Sequence, residues 1–389
     1  MADRELSDQI ADLAATHATG DRRSYLGARY DAGLAWVHFP RGHGGLGLPR
    51  TEQAAVDAEF TRHGAPATAQ ADNVIGYGMA APIILEFGTD EQRNTLLRRI
   101  FTGEDIWCQL FSEPGAGSDL AAVATRAVQD GADWLVTGQK VWTSFAHTAK
   151  WAILLARTDP DVSKHAGLTY FIADMTAPGV EVRPLRQITG EAEFNEVFFT
   201  DVRVPDSARL GAPGQGWAVA QSTLMNERMA ISGGAERESG MIAALAGLWR
   251  ERPELRRPAL HERLMRLWVE AEAYRFSGER QRQLLLAGRP GPEGSGSKIT
   301  FARLNQESTA LELEILGEEG LQHEDWSLRR PTESNLLAGG ATHRYLRAKG
   351  NSIEGGTSEI LRNVIAERVL GLPREPRVDG RPPSQGQQP

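Results

Sequence analysis

Residues 109–119 read Gln109-Leu110-Phe111-Ser112-Glu113-Pro114-Gly115-Ala116-Gly117-Ser118-Asp119, and residues 138–144 read Gly138-Gln139-Lys140-Val141-Trp142-Thr143-Ser144. In the first, a β-rich run enters a loop holding two glycines, two hydroxyls and a proline. That composition presents backbone N–H groups to anionic or carbonyl oxygens. Alone, it reads better as an ordinary Gly/Ser turn. The second segment shifts the balance, because an edge Trp followed by two hydroxyls can stack on a flat ring and hydrogen-bond its polar rim.

Outward from these segments the texture of the chain changes twice. Up to about Ile106 it is helical: Leu6, Ile10 and Leu13 recur at helix spacing, and Thr89-Asp90-Glu91-Gln92 is a capping box opening a helix through Leu97. From Trp107 to about Leu210, short β-rich runs (133–137, 151–156, 168–172 and 196–199) alternate with Gly, Pro and Asp, the pattern of an antiparallel barrel or sandwich. After Gly211-Ala212-Pro213-Gly214, long helical segments return at 217–250, 261–286 and 297–315, each long enough for a bundle helix. The Pro-, Gly- and Gln-rich stretch from Pro373 reads as a disordered tail. The expected division is 1–106, helical; 107–213, β; 214–372, helical bundle; and 373–389, tail.

Composition narrows the function. The 389 residues suffice for two or three domains. A net charge of −8 without long blocks of one sign argues against a nucleic-acid or anionic-membrane surface. The single cysteine, Cys108, excludes an internal disulfide framework and fits a reducing cytoplasm; beside the loop it reads as a small buried residue. The N-terminus shows no signal core, and no apolar run approaches the roughly 20 residues of a membrane helix. The nine histidines show no metal-ligand spacing, so no metal is expected, and His147 reads as a polar surface residue. Gly42-His43-Gly44-Gly45-Leu46-Gly47, after the strand-like run 34–39, formally matches a dinucleotide fingerprint. The helix starts late, however, and no acid stands about 20 residues on, so it reads as a tight turn.

Together the two segments resemble the flavin-binding segments of the acyl-CoA dehydrogenase family. The resemblance extends from about Ala32 to Pro373 through Phe39-Pro40 with Gly44 to Gly47, Ala81 to Gln92, Phe194 to Phe199 with Asp201 to Pro205, and Gly356-Thr357-Ser358-Glu359-Ile360. It implies an α+β, mostly α fold: an N-terminal helical domain, a central antiparallel β domain and a C-terminal four-helix bundle. It also implies FAD as cofactor. By position in the matched motifs, Gln109, Phe111, Ser112, Gly117, Ser118, Trp142, Thr143, Ser144, Gly356, Thr357 and Glu359 would bind it. Ser112 would meet the flavin pyrimidine edge, Trp142 would pack beside the ring, and Ser144 would hydrogen-bond near N5. Thr357 and Glu359 would face the adenine-dinucleotide end. Ser118 would also lie near an acyl-CoA phosphate. Many members carry Thr where this chain has Ser112 and Ser144.

The implied reaction is α,β-dehydrogenation of an acyl thioester: a carboxylate takes the α-proton while the β-hydrogen leaves as hydride to flavin N5. The thioester carbonyl would be held by a flavin ribityl hydroxyl and by the N–H at the position of Gly355. Many members carry the catalytic Glu at that position, where this chain has glycine. Another branch, including isovaleryl-CoA and long-chain dehydrogenases, carries it on the first bundle helix, and Glu227-Arg228 matches that branch's Glu-Arg pair. Glu227 is therefore the expected base. Its alternatives are a solvated charge pair at 227–228, or Glu354 one residue before Gly355. Arg228, Glu354, Gly355 and Ser118 are the expected substrate contacts, with Arg228 more structural or cofactor-facing than catalytic.

Two departures bear on the flavin diphosphate. The family's Arg-x-x-Phe-Gly segment is replaced by Trp249 to Pro258, which keeps arginines but not the pattern. Its Gly-Gly is replaced by Gly317-Glu318-Glu319-Gly320, whose acids would repel a pyrophosphate unless they point away. The expected partners are an acyl-CoA substrate, an electron-transfer flavoprotein and further subunits. Those subunits would make a homodimer or tetramer, or a mixed oligomer as in steroid-degrading members of two subunits. The alternatives are a carrier-protein-linked dehydrogenase, a flavin monooxygenase, or a non-catalytic subunit.

Overall fold

The computed structural model describes residues 2–16, 21–231, 239–286, 291–292, 294–323, 325–332 and 337–374. The chain divides into two compact units, residues 1–230 with 325–335, and residues 231–324 with 336–389. The first therefore contains a short segment that returns to it after most of the second has been built.

Among the described residues of the first unit, five α-helices precede a sheet: α1 (Ala2–Thr16), α2 (Arg22–Asp31), α3 (Gln53–Arg62), α4 (Ala81–Phe87) and α5 (Asp90–Thr102). The capping box forms as expected, with Thr89 accepting from the Gln92 N–H and the Gln92 side chain accepting from the Thr89 N–H. The helix runs past Leu97 to Thr102, where Gly103 at φ 70° ends it in the left-handed conformation. The core between these helices is aromatic: the rings of Trp36, Tyr77 and Phe101 lie 5.1–5.4 Å apart. Residues 34–39, expected as a strand, are turns instead. The N–H groups of Ala35 and Trp36 both donate to the Gly44 carbonyl, and those of Leu46 and Leu48 to the Val37 carbonyl, so the run closes on the glycine turn. A Cβ on Gly45 would overlap the Phe39 carbonyl, which explains glycine there.

The sheet follows: β1 (Trp107–Leu110), β2 (Arg126–Asp130), β3 (Asp133–Ser144), β4 (Trp151–Arg157), β5 (Leu168–Asp174), β6 (Val180–Pro184), β7 (Phe194–Pro205) and β8 (Arg209–Leu210). Its order is β6-β7-β3-β2-β4-β5-β8, with β1 paired to β4. Most neighbours are antiparallel, but β1 runs parallel to β4 and so does the end of β2. Trp134, Val136 and Lys140 take the buried positions of β3 at period two. α6 (Gly216–Ile231) completes the unit, burying Val219, Ala220 and Thr223.

The second unit holds α7 (Gly240–Glu251), α8 (Pro258–Leu286), α9 (Gly294–Leu316), α10 (Ala341–Ala348) and α11 (Ser358–Arg368) around a core of Leu245, Leu260, Leu264, Leu267, Leu304, Leu311 and Ile315. The single helix expected over 217–250 is two helices. Ser239, with extended backbone at φ −113° and ψ 166°, opens α7, and Gly240 follows at φ 65°. The glycines at 233, 234 and 240, a weakness in any helical pattern, were the signal for this break. The tail expected from Pro373 lies outside the described residues from 375 onward. Among the described residues, no helix is long and apolar enough to cross a membrane.

Candidate functional site

The loop after β1 and the end of β3 meet in the first unit, and one side chain joins them. Lys140 is fully buried; its Nζ donates to the Phe111 carbonyl and to Glu113 Oε1, both at 2.9 Å. The Glu113 carboxylate also accepts the N–H groups of Ala124 at 2.6 Å and Thr125 at 2.9 Å. Burial pushes the Glu113 carboxyl up, but Lys140 and these donors outweigh it and hold it below the ordinary carboxylate range. Burial draws the Lys140 ammonium down to about 8 against the attraction of Glu113, so the pair is ionised at neutral pH. The Val141 N–H donates to the Ser112 carbonyl at 2.9 Å, locking Ser112 beside the strand. Gln109 on β1 and Ser112 are half-buried, Phe111 is buried, and Gly117 and Ser118 are exposed. Among the described residues, a Cβ on Gly115 or Gly117 would meet nothing within 4 Å, so no contact there demands glycine at either place.

At Trp142 the β3–β7 pairing slips between Lys140 and Thr143, a β-bulge. Trp142 adopts φ 60°, a strained left-handed conformation for a bulky residue, and its side chain stands 57 % exposed, edge-on to Phe194 at 5.8 Å. Without the bulge, period two would have turned this side chain into the sheet packing. Ser144 is half-buried beside it. Thr143 points inward, and among the described residues its buried Oγ1 has no hydrogen-bond partner. An exposed, strained indole beside half-buried hydroxyls and an open glycine loop suits the planar ring that the resemblance implies.

Behind this edge lies a network given no role in the sequence reading. Fully buried Asn195 donates through Nδ2 to the carbonyls of Thr143 and Glu193, each at 3.1 Å, and its Oδ1 accepts from Arg330 at 2.7 Å. Arg330 belongs to the returning segment, whose Arg329 forms a parallel bridge with Glu191 and accepts the Ala192 N–H at 2.7 Å. His147 is half-buried against it rather than a free surface residue; burial and then the Arg330 guanidinium pull its pKa below the ordinary value. Cys108 is fully buried, and burial pushes its thiol far up.

Glu227 and Arg228 lie on α6, with side chains outside the described residues. One turn earlier, the Thr223 hydroxyl lies 2.9 Å from that of Tyr170 on β5, and the Tyr170 ring stands edge-on to Phe111 at 5.8 Å. Ser222 donates to Glu86 at 2.7 Å.

In the second unit, Gly355 and Gly356 take φ 61° and 92°, and the Gly356 carbonyl accepts from Lys298 at 2.8 Å. Thr357 caps α11 by accepting the Ile360 N–H at 3.2 Å, and Glu359 is exposed beside Arg362. Glu354 is bound by Arg347 at 3.0 Å and by Asn351 Nδ2 at 2.6 Å, and buried Asn351 is itself held by Asn305. Arg252 bonds the Glu319 carboxylate with both terminal nitrogens at 3.2 Å and also reaches Glu254. One of the two acids at 318–319 is thus neutralised within the chain. Among the described residues, no group of three or more His, Cys, Asp or Glu could hold a metal ion.

Comparison with known proteins matches three family descriptions in order: Acyl-CoA dehydrogenase, N-terminal domain, over residues 1–104; middle domain, over 108–202; and C-terminal domain, over 214–370. The chain is 41 % identical over 371 residues to acyl-CoA dehydrogenase FadE34 of Mycobacterium tuberculosis (strain ATCC 25618 / H37Rv), covering 95 % of this chain but 48 % of that protein. It thus spans about half the length of that relative. It is 39 % identical over 359 residues to acyl-CoA dehydrogenase IpdE1 of the same organism, covering 91 % of this chain and 89 % of that one. Among solved structures, the Tcur3481-Tcur3483 steroid ACAD superposes with a TM-score of 0.74 at 26 % identity, covering 96 % and 98 % of the two chains. The ChsE4-ChsE5 complex from Mycobacterium tuberculosis superposes with 0.69 at 28 % identity, covering 96 % and 97 %.

Proposed function

The chain belongs to the acyl-CoA dehydrogenase family, and we propose that it catalyses FAD-dependent α,β-dehydrogenation of an acyl-CoA thioester with Glu227 as the base. The observation that carries this reading is the register of α6. Its buried stripe runs through Val219, Ala220 and Thr223, and position 227 of the helix lies four residues, about one turn, beyond Thr223. Through Thr223 and Tyr170 that stripe faces Phe111, the neighbour of Ser112. Glu354, by contrast, has its carboxylate engaged by Arg347 and Asn351.

Bound FAD would supply the hydride acceptor. The residues of the chain do the rest. Trp142 would stack on the ring, and Ser112 and Ser144 would hydrogen-bond its polar edge; Gln109, Phe111, Gly117 and Ser118 would complete the contacts, with Thr143 contributing backbone only because its side chain points inward. Glu227 takes the α-proton, for which a desolvated setting raises its basicity. The Gly355 N–H, free of any side chain, would donate to the thioester oxygen; one such donor is commonly worth about 3 kcal/mol in the transition state. Gly356, Thr357 and Glu359 would line the dinucleotide end. Electrons would leave to an electron-transfer flavoprotein, in the cytoplasm.

A mixed oligomer is a second reading. Its support is the likeness to a two-component steroid enzyme and the engagement of Arg252 by Glu319 and Glu254, which leaves that arginine committed within the chain. The same likeness makes steroid-side-chain thioesters the first to test beside straight and branched ones.

The deciding experiment is anaerobic flavin bleaching by such a panel. Glu227→Gln should keep its flavin but reduce it orders of magnitude more slowly. Reduction at the wild-type rate would sink the assignment of the base. A colourless protein that takes up no FAD would favour a non-catalytic subunit.

A further inference from the structure

We infer that Tyr170 is a positioning residue for proton abstraction, its buried hydroxyl setting the rotation of α6 against the loop that carries Ser112. The inference rests on the reading of Glu227 as base.

Tyr170 and Thr223 are both fully buried. A phenol hydroxyl taken out of water is costly unless bonded, so a Tyr in mid-strand where Phe would pack equally well asks for a reason. Its partner is Thr223 Oγ1 at 2.9 Å. One assignment of the two hydroxyl protons satisfies both contacts of Thr223. Thr223 already donates its one proton to the Val219 carbonyl at 2.9 Å, and a carbonyl only accepts. The Tyr170 O–H therefore donates to Thr223. Burial pushes the phenol far above its ordinary value, so it stays a donor at any working pH.

The same ring fixes the other partner. It meets Phe111 edge-on, with ring planes at 89°, and the Phe111 carbonyl is held by Lys140. One side chain thus touches the flavin-side loop with its ring and α6 with its oxygen. Residues 223 and 227 are neighbours on one helix face, so a rotation of α6 that breaks the first contact carries residue 227 with it. Displacements on the order of 1 Å at a reacting group cost about 100-fold in rate.

Three variants test this: Tyr170→Phe and Thr223→Val, which delete the donor and the acceptor, and Thr223→Ser, which keeps the acceptor. In the protein without FAD, amide hydrogen exchange along α6 should rise about 5-fold or more in the first two and stay near wild type in the third. Loaded with FAD, the first two should keep their KM for thioester within about 2-fold and lose between about 10- and 100-fold in the rate of flavin reduction, with Thr223→Ser close to wild type. Wild-type exchange and reduction in Tyr170→Phe would overturn the inference, as would a Thr223→Ser as slow as Thr223→Val. Glu227→Gln, run alongside, separates the two claims. If it reduces flavin at the wild-type rate, both fall; if it is slow while Tyr170→Phe is unchanged, only the positioning role falls.

Discussion

Lys140 Nζ and Glu113 Oε1 lie 2.9 Å apart with both side chains out of solvent, so the loop after β1 hangs from β3 by a buried ion pair. Such a pair is a weak source of net stability when whole, but severe to break by halves, because the remaining charge is stranded.

Lys140→Met should therefore destabilise the protein by about 3–5 kcal/mol and release flavin, since Phe111 and Glu113 lose their common donor. Chemical denaturation with and without added FAD measures both. A change below about 1 kcal/mol would mean that the loop has another anchor.

The pH dependence of that pair has a definite sign. The native Glu113 carboxyl lies below its ordinary 4.5, so its stabilisation is present above that pH and is lost as the pH falls through the lower native value. The stability gap between wild type and Glu113→Gln should narrow on acidification below about 4.5. Lys140 acts at the other end: its native value of about 8 lies below its ordinary 10.5, so the native state binds fewer protons in that window and its contribution grows with rising pH. Denaturation midpoints across pH 3 to 10 for the two proteins would reveal a gap of constant size if the carboxylate were not the linked group.

Trp142→Gly should separate binding from folding. The left-handed backbone costs a non-glycine residue roughly 1–2 kcal/mol, which glycine removes, while glycine in a strand costs about 0.5–1. The unfolding free energy without FAD should stay within about 1 kcal/mol, and FAD affinity should fall at least about 10-fold with the loss of the stacking ring. Fluorescence titration with FAD gives the second number; unchanged affinity would remove Trp142 from the flavin site.

Arg330→Met leaves Asn195 Oδ1 buried without its donor, at a cost of about 1–3 kcal/mol. The melting temperature should drop, and flavin binding should weaken as the Thr143 carbonyl loses its fixed partner. An unaltered melt would show that Asn195 is satisfied by water.

Glu354→Gln should slow flavin reduction only a few-fold, in contrast to Glu227→Gln. Its carboxylate serves Arg347 and Asn351 in the 351–356 turn. A loss of orders of magnitude would transfer the role of base to Glu354.

What could be read ahead of the structure was what depends on neighbours in sequence. The Thr89–Gln92 box, the turn at Gly42 to Gly47 and the long helices at 258–286 and 294–316 are local, and their residue patterns carry them. The helix expected over 217–250 is interrupted, with extended backbone at Ser239 and a left-handed Gly240, which together with the glycines at 233 and 234 weakens a helix there. The run 34–39 looked like a strand because β-rich composition does not reveal a chain folded back on its own turn. Lys140 was legible in principle. Period two from Trp134 and Val136 puts it on the buried face, and a buried lysine requires an anion, here 27 residues away in the loop after β1. Tyr170, Asn195 and Arg330 were not legible, since their partners stand 53 and 135 residues off and no local pattern marks them.

The return of residues 325–332 to the first unit also bears on how the protein is made. As the chain emerges from the ribosome, the sheet edge with Trp142 and Ser144 is synthesised early, yet the Asn195 amide oxygen gains its guanidinium only after translation has passed Arg330. Until then the Ala192 N–H also lacks the carbonyl it pairs with in the finished protein. Nascent chains halted before residue 325 would carry residues 109–119 and 138–144 beside an edge still lacking both partners, so that edge is completed only late in synthesis.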